Sequence, residues 1–442
     1  MRTLIAGGDL ITMSADRTVR TDGAVLIDGT RISAVGPRSE VEASLDRPVD
    51  RVVDARGGVI MPGLVDVHVH LVESLMRHSG DDVDLATWVR SRLRPYEESL
   101  NAELATAAAQ LALLELTLAG VTTVGESMLP AGAISRAVAT AAADSGLRVL
   151  LAIAVGGPHD GDGMGGFESM RDEWDEHEGR IAVWLAPRPL PQSTPQFLKS
   201  LGSYSRTENS SISWHFANSE SQYRWITEQF GTSPARVAAD LGLLRPGVLL
   251  GHCTWLGEGD IDVISRSGAS VAHLPRTNLR LGMGVMPLVA LRAAGVPVGL
   301  GTDGDNSHDL LDVARLAGHV QSLASGPSAI SAWAALELLT IEGATALGLR
   351  SEIGSLEVGK RADVIVVSTD GPHMFPKRDP TAMVAQSAKA SDIRTSFVDG
   401  NVVLDDGVPT RVDAAAILAR ATVPSHSRSS SHQARATNER YS

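Results

Sequence analysis

Residues 61–71, MPGLVDVHVHL, form an apolar run that is interrupted by the polar residues Asp66, His68 and His70. The Pro-Gly pair at its start and its β-branched residues predict a short buried strand. Because side chains alternate between the two faces of a strand, both imidazoles leave the same face. Two imidazoles placed in this way can share a divalent metal ion, although an HxH pair alone also arises by chance.

Seven further runs of this kind follow, separated by helix-like segments rich in Ala and Leu. Strands that alternate with helices are typical of a parallel sheet. Eight such units in under about 300 residues predict an α/β fold of the (β/α)8 TIM-barrel type, with a doubly wound open sheet as the alternative. The eight predicted strands are LVDVHVHL, GVTTVGE, LRVLLAIAV, IAVWLAP, SISWHFA, GVLLGHC, ASVAHLP and VPVGLGTD.

The two ends of the chain are predicted to contain strands and turns without the helices that alternate with strands in the middle. Residues 1–59 and 349–424 contain short strand-like runs separated by Asp-Gly turns, and together they predict one small β-sandwich beside a barrel at 60–348. The Gly- and Asp-rich segment 156–180 is expected to be a long loop at the mouth of the barrel. The Ser- and Arg-rich segment 425–442 is expected to be a disordered tail.

Composition narrows the classes of function. The formal net charge is −13, so binding to nucleic acid or to an anionic membrane surface is not expected. No run of about 18 apolar residues is present and the N-terminus lacks the pattern of a signal peptide, which predicts a cytoplasmic protein without a membrane span. Cys253 is the only cysteine, so no intrachain disulfide can form, and without an evident basic partner its thiol is expected to be inert.

Three more polar residues interrupt apolar strands near their ends. His215 is near the end of the fifth predicted strand, His252 near the end of the sixth, and Asp303 ends the eighth. A single buried histidine in such a place is usually satisfied by backbone groups. Because barrel active sites are built at the C-terminal ends of the strands, these residues together with the HxH pair predict a metal site.

Five segments carry a resemblance to a known family. The chain resembles the amidohydrolase superfamily, in the branch of aminoheterocycle deaminases and chlorohydrolases that includes atrazine and triazine hydrolases, S-adenosylhomocysteine deaminases and guanine deaminase. The resemblance extends to about residue 410. The segments are MPGLVDVHVHL, LGLLRPGVLLGHCTWL, GASVAHLPRTNLRLGMG, GVPVGLGTDGDNS and GATALGLRSEIGSLEVGKRADVIVV.

The resemblance implies a ligand set and two catalytic residues. It assigns His68, His70, His215 and Asp303 as the ligands of one metal ion, with Asp303 also acting as a base and His252 contacting the attacking water or the substrate. The bridging lysine of the binuclear branches has no counterpart in IAVWLAP, so a mononuclear site is expected. Three nitrogens and one oxygen suit zinc best, and iron(II) is the alternative.

One position departs from the family pattern. The deaminases usually carry HxxE on strand five, and its glutamate moves a proton from water to the substrate ring. Here Asn218 takes that position, and a carboxamide does not transfer protons at neutral pH. Asp303 and His252 could carry all proton transfers, the substrate could need no ring protonation, Glu220 could take the role, or catalysis could be lost.

Four residues are expected to contact the substrate. These are Asn218; Arg188, whose guanidinium suits an anionic or carbonyl-rich group; Trp88, which matches a tryptophan that relatives place over the substrate; and Trp255, which could stack on a planar ring. Arg188 could instead point to solvent, Trp88 could pack on a helix, and Trp255 could plug the barrel. Ala86 and Thr87 stand where nucleoside-processing relatives tend to have acidic residues, which argues against a ribose-bearing substrate.

The sequence therefore predicts an enzyme that uses metal-activated water to displace ammonia or another leaving group from a planar nitrogen heterocycle. Hydrolysis of a cyclic amide or amidine C–N bond is the first alternative. A barrel that binds metal but is catalytically impaired is the second. The expected partner is a small molecule. Because relatives often form dimers, a homodimer is also possible.

Overall fold

The computed structural model describes residues 1–79, 83–157, 163–304, 306–327 and 329–422. The tail predicted at 425–442 lies outside these residues.

Three groups of strands follow one another along the chain. The first group is β1 Arg2–Ile11, β2 Val19–Asp28, β3 Arg31–Pro37, β4 Arg51–Asp54 and β5 Gly58–Pro62. The second is β6 Leu64–Val69, β7 Val121–Leu129, β8 Arg148–Val155, β9 Ile181–Pro187, β10 Ile212–Phe216, β11 Val248–His252, β12 Ser270–His273 and β13 Val298–Leu300. The third is β14 Val364–Ser368, β15 Ile393–Val398, β16 Asn401–Asp405 and β17 Val408–Pro409.

The second group forms one parallel sheet in which the strands stand in sequence order from β6 to β13. A parallel bridge between Val69 and Asp303 joins its two edges, and the N–H of Asp303 donates to the carbonyl of His68 at 2.9 Å. The sheet is therefore a barrel. All eight predicted strands and the predicted fold class are confirmed.

Alternation along β8 shows why these strands are buried on both faces. Val149, Leu151 and Ile153 belong to the large apolar cluster between the sheet and the helices. Leu150 and Ala152 belong to a second cluster that joins residues of β6, β8, β9, β11 and β12, so they face the barrel interior. A strand with apolar side chains on both faces is stable only when helices cover its outer face.

The first and third groups combine in one nine-stranded sheet, with β14 pairing antiparallel to β5. The N–H of Ile32 donates to the carbonyl of Lys360 at 2.9 Å, so β3 returns to the segment before β14. The sheet thus closes around a core that includes Ile27 and Phe397. The two chain ends meet as expected, and the boundary predicted after residue 59 falls inside β5.

Helices connect the strands and cover the barrel. They are α1 Arg38–Ala43, α2 Leu85–Trp88, α3 Arg94–Ser99, α4 Ala102–Leu118, α5 Ala133–Ser145, α6 Met164–Trp174, α7 Pro195–Thr207, α8 Glu220–Phe230, α9 Pro234–Asp240, α10 Asp260–Ser267, α11 Pro275–Arg280, α12 Leu288–Ala293, α13 Leu310–Ser325, α14 Ala332–Leu339, α15 Ile341–Ala346, α16 Pro380–Ser387 and α17 Ala414–Ala421. Within the described ranges, no helix combines the length and apolar content that crossing a bilayer requires.

The expectation of a loop throughout 156–180 is wrong for residues 164–174, which form α6. Two glycines near its start obscure the helical pattern, but Phe167 and Met170 are fully buried and anchor the helix on the barrel. Gly166 lies so close to Ala131 that a Cβ at Gly166 would come within 2.5 Å of the alanine side chain. Close packing against Ala131 explains why a residue without a side chain occupies this position. Residues 158–162 of the same segment lie outside the described ranges.

A buried group of charges joins the barrel to the terminal sheet. Arg148 at the start of β8 bonds to Asp363 beside β14, and it donates to Asp399 at 2.6 Å and to Thr123 at 3.2 Å. Arg361 also donates to Asp399, at 3.0 Å. The side chains of Arg148 and both aspartates are at most 6% exposed.

We expect Arg148→Met to lower the free energy of unfolding by about 3–5 kcal/mol, because two buried carboxylates lose their main counter-charge. Chemical denaturation followed by fluorescence measures the change. The matched control is Arg136→Met on α5, whose pair with Glu173 is 42% and 45% exposed and should contribute less than about 1 kcal/mol. Equal destabilisation by the two variants would contradict the prediction.

Candidate metal centre

Four side chains from three places in the barrel converge at its C-terminal end. His68 belongs to β6, His70 follows that strand, His215 belongs to β10 and Asp303 follows β13. One possible ligand atom from each lies within 4.8 Å of the others. The His70 Nε2 is 3.2 Å from both the His215 Nε2 and the Asp303 Oδ1, and the His68 Nε2 is 3.7 Å from the same oxygen. The described residues contain no other such group of potential ligands.

Hydrogen bonds to Asp66 join the segments that carry His68 and Asp303. The Asp66 carboxylate accepts the N–H groups of His68 and Thr302, both at 3.2 Å, and the Thr302 hydroxyl at 2.6 Å. Thr302 also contacts the His308 Nδ1 at 2.9 Å. Since Thr302 precedes Asp303, this network sets the distance between the two edges of the barrel at the ligand cluster.

The donor set fits a divalent cation. Both ring nitrogens of His68, the His215 Nδ1 and the Asp303 Oδ2 are buried without a hydrogen-bond partner among the described residues. Burial lowers the pKa of His68 to about 3 and that of His215 well below its usual value, which keeps both in the neutral, metal-binding form. Three imidazoles and one carboxylate are a common zinc-binding set.

The charges around His70 also favour a cation. Burial lowers the pKa of His70, but the nearby carboxylates of Glu73 and Asp303 outweigh this effect and raise it to about 10. Burial raises the pKa of Asp303, but the hydrogen bond to His70 and the surrounding imidazoles hold it well below the usual range. Positive charge is therefore stabilised where His70 and Asp303 meet.

His252 lies beside the four potential ligands. Its ring centroid is 5.4 Å from that of His215 and 5.9 Å from that of His68. Its Nδ1 is 3.0 Å from the Asn278 Oδ1, and burial lowers its pKa.

The backbone at the ends of these strands is strained. His252 has φ +74°, Asp303 has φ +60° and Ala217 has φ +47°. Non-glycine residues in this region cost on the order of 1–3 kcal/mol each, and they concentrate at functional sites.

Asn218 and Glu220 differ in their surroundings. Asn218 follows β10, is half-buried, and donates its backbone N–H to the Gln222 Oε1 at 3.1 Å. Glu220 begins α8 and is 56% exposed, and its carboxylate accepts from Arg224 at 2.6 Å. The arrangement therefore gives no support to Glu220 as a replacement for the missing glutamate.

Arg188 follows β9 at the same end of the barrel. Its guanidinium lies 3.6 Å from the Met128 sulfur, and Met128 packs against the interior cluster. Its carbonyl accepts from the Trp214 indole at 3.3 Å.

Trp88 and Trp255 are linked through one loop. Trp88 is 8% exposed and packs with Leu281 and Met283, with the Arg280 guanidinium 5.6 Å from its ring centroid. The Trp255 indole N–H donates to the carbonyl of Met283 at 2.7 Å. Trp88 thus lies in an apolar cluster beside the loop that also bonds to Trp255.

Sequence analysis gave no role to several polar residues around the centre. Besides Asp66, they include Glu73, whose Oε1 is 3.9 Å from the His70 Nδ1, and Glu126, which accepts the Leu71 N–H at 2.6 Å. Burial raises the pKa of Glu73 to about 7 and that of Glu126 to about 8. Asp66 and Glu126 interrupt apolar strands in the same way as the histidines, a signal that could have found them.

The chain is similar to known deaminases. The chain is 32% identical over 419 residues to a 5-methylthioadenosine/S-adenosylhomocysteine deaminase of Desulforamulus reducens, covering 93% of this chain and 95% of the relative. It is 32% identical over 412 residues to a 5'-deoxyadenosine deaminase of Methanosarcina acetivorans, covering 91% and 93%.

The fold also matches solved structures of similar proteins. A zinc-bound adenosine deaminase of Xanthomonas campestris superposes with a TM-score of 0.89 at 25% identity, covering 95% of this chain and 96% of that one. A zinc complex of an atrazine chlorohydrolase from Arthrobacter aurescens superposes with a TM-score of 0.88 at 26% identity, covering 95% and 99%. The resemblance to the deaminase and chlorohydrolase branch is confirmed.

The model of the amidohydrolase family matches residues 59–403, a range that contains the whole barrel and β14 and β15 of the terminal sheet. Together with relatives above 30% identity across nine-tenths of the chain, this match shows that the protein is an enzyme of the amidohydrolase family.

Proposed function

We propose that this protein hydrolytically removes ammonia from an amino-substituted planar nitrogen heterocycle. The reaction would use one divalent metal ion, with zinc as the first choice. Its ligands would be His68, His70, His215 and Asp303. The observation that carries the proposal is the convergence of these ligands beside His252 at the C-terminal end of the barrel. Iron(II) is the second choice, since the metal supply as well as geometry decides which ion is bound.

A bound cation would supply a nucleophile at neutral pH, because it lowers the pKa of water from about 15.7 to about 7. The chain itself would provide the proton transfers and the stabilisation of charge. Asp303 is buried and held ionised, so it can take a proton from the attacking water and pass it on. His252 lies beside the ligand cluster and can polarise the electrophilic carbon or stabilise charge that develops on the adduct.

The substrate class follows from the relatives and from the residues at the mouth. The relatives above carry the names of deaminases of adenosine-type compounds, so the 6-aminopurine ring is the first ring to test. Arg188, Trp88, Trp255 and Asn218 are proposed to contact it. Ala86 and Thr87 stand where nucleoside-processing relatives tend to have acidic residues, which argues against a ribose contact at α2. The rates on free adenine and on 5'-substituted adenine nucleosides should therefore be compared directly.

A second function is favoured by Asn218. Because its carboxamide does not transfer protons, a substrate that needs no ring protonation suits this site: an activated amidine, a cyclic amide or a halide. The similarity to a chlorohydrolase is in keeping with that alternative.

The test uses the zinc-loaded full chain with two substrate panels. Ammonia release is followed on aminated purines, pyrimidines, pterins and triazines, and ring opening is followed on cyclic ureides and amidines. Turnover on the first panel supports deamination. Turnover on the second panel alone would replace it with C–N ring hydrolysis, and no turnover on either would favour a catalytically impaired barrel.

Restoring the family glutamate tests the position of Asn218. We expect Asn218→Glu to change kcat or substrate preference on the order of tenfold or more, because a carboxylate can move a proton where a carboxamide cannot. Rates across pH 5–9 on the full panel measure the effect. The control is Asn218→Gln, which lengthens the side chain without adding an acid. Identical pH–rate profiles for wild type and Asn218→Glu would show that position 218 is remote from the reaction.

A further inference from the structure

His252 bonds to a side chain that sequence analysis left without a role in the reaction. The His252 Nδ1 and the Asn278 Oδ1 are 3.0 Å apart, and the two residues are 3% and 2% exposed. Buried from solvent, this bond has no water to replace it if either partner is removed.

The backbone on both sides of Asn278 is held firmly. Asn278 belongs to α11, its N–H donates to the carbonyl of Leu274 at 3.0 Å, and its own carbonyl accepts from Met283 at 2.7 Å. The Asn278 Nδ2 is buried without a partner among the described residues, so the carboxamide uses its oxygen alone.

The bond determines which nitrogen of His252 carries the proton. An amide oxygen only accepts, so the His252 Nδ1 must carry the hydrogen in this pair. Nδ1 and Nε2 flank Cε1 and point in divergent directions, so with Nδ1 bonded to Asn278 the Nε2 is the nitrogen left for the metal centre.

We propose that Asn278 is a positioning residue that holds His252 as the Nδ1–H tautomer, with Nε2 directed at the metal centre. Asn278 acts through His252 and not on the substrate itself. The expected effect on activity rests on the proposed function, whereas the tautomer can be measured without any substrate.

The activity test compares Asn278→Leu, which removes the acceptor, with Asn278→Asp, which keeps one. The leucine variant should lose about 10- to 100-fold in kcat, with KM changed less than about threefold and the zinc content unchanged. The aspartate variant should recover kcat to within about fivefold of wild type. Thr277→Val is the matched control, since the buried Thr277 hydroxyl has no partner among the described residues and its loss should leave kcat unchanged.

The second arm measures imidazole ¹⁵N shifts in the zinc-loaded protein, with the His252 signals assigned by their absence in His252→Gln. Wild type and Asn278→Asp should show a protonated Nδ1 and an unprotonated Nε2, and Asn278→Leu should lose that preference. A protonated Nε2 in the wild type, or an unchanged tautomer in a folded Asn278→Leu, would overturn the proposal. If neither substrate panel is turned over, this arm still decides the role of Asn278.

Discussion

Replacing Asp303 with alanine should reduce turnover on the order of 10³-fold or more and should lower the zinc content of the purified protein. Asp303 is the one carboxylate among the four candidate ligands, and it is also the proposed base. Removing a group with two roles in one reaction typically costs several orders of magnitude in kcat. Steady-state rates and elemental analysis of the same preparation measure both effects.

Two further variants separate the two roles of Asp303. Asp303→Asn retains an oxygen near the ligands but is a poor base, so we expect it to keep more zinc than the alanine variant while remaining inactive. Asp240→Ala, at an exposed position that ends α9, is the control for the substitution itself. Near-normal turnover by Asp303→Ala would refute its assignment as ligand and base.

Removing the metal ion should abolish activity and destabilise the fold. A ligand that binds only the native state at a free concentration of 100 Kd stabilises that state by about 2.7 kcal/mol. Without a metal ion, the ring nitrogens of His68, the His215 Nδ1 and the Asp303 Oδ2 stay buried without hydrogen-bond partners among the described residues, which is unfavourable. We therefore expect a chelator to lower the Tm and to stop turnover, and stoichiometric zinc to restore both.

The Asp303→Ala protein is the matched control for the chelator. If the Tm of wild type falls because the proposed site is emptied, the Tm of this variant should fall much less. Adding iron(II) or zinc separately to the metal-free wild type shows which ion supports turnover. Full activity with less than about 0.05 metal ions per chain would contradict the proposed chemistry.

Local sequence patterns predicted most of the architecture and a group of candidate ligands, from which the resemblance to the family selected four. A buried strand is encoded by a short apolar run, and a polar residue that interrupts it must have a partner or a function, because burying it without one costs free energy. His68, His215 and Asp303 could be recognised on this ground, since each lies in or just beyond such a strand. The C-terminal ends of parallel strands in a barrel face one opening, so these residues had to meet.

Other features depended on contacts between distant segments, which no local pattern encodes. The exposed pair of Glu220 with Arg224 and the packing of Trp88 against Met283 became visible only in the folded chain. The bond between His252 at the end of β11 and Asn278 in α11 joins residues 26 positions apart in the chain. Residue type and strand periodicity thus determined the barrel and its candidate ligands, because both are local properties. Which partner holds each side chain was decided by the tertiary structure, because hydrogen bonds and packing depend on three-dimensional distances between elements.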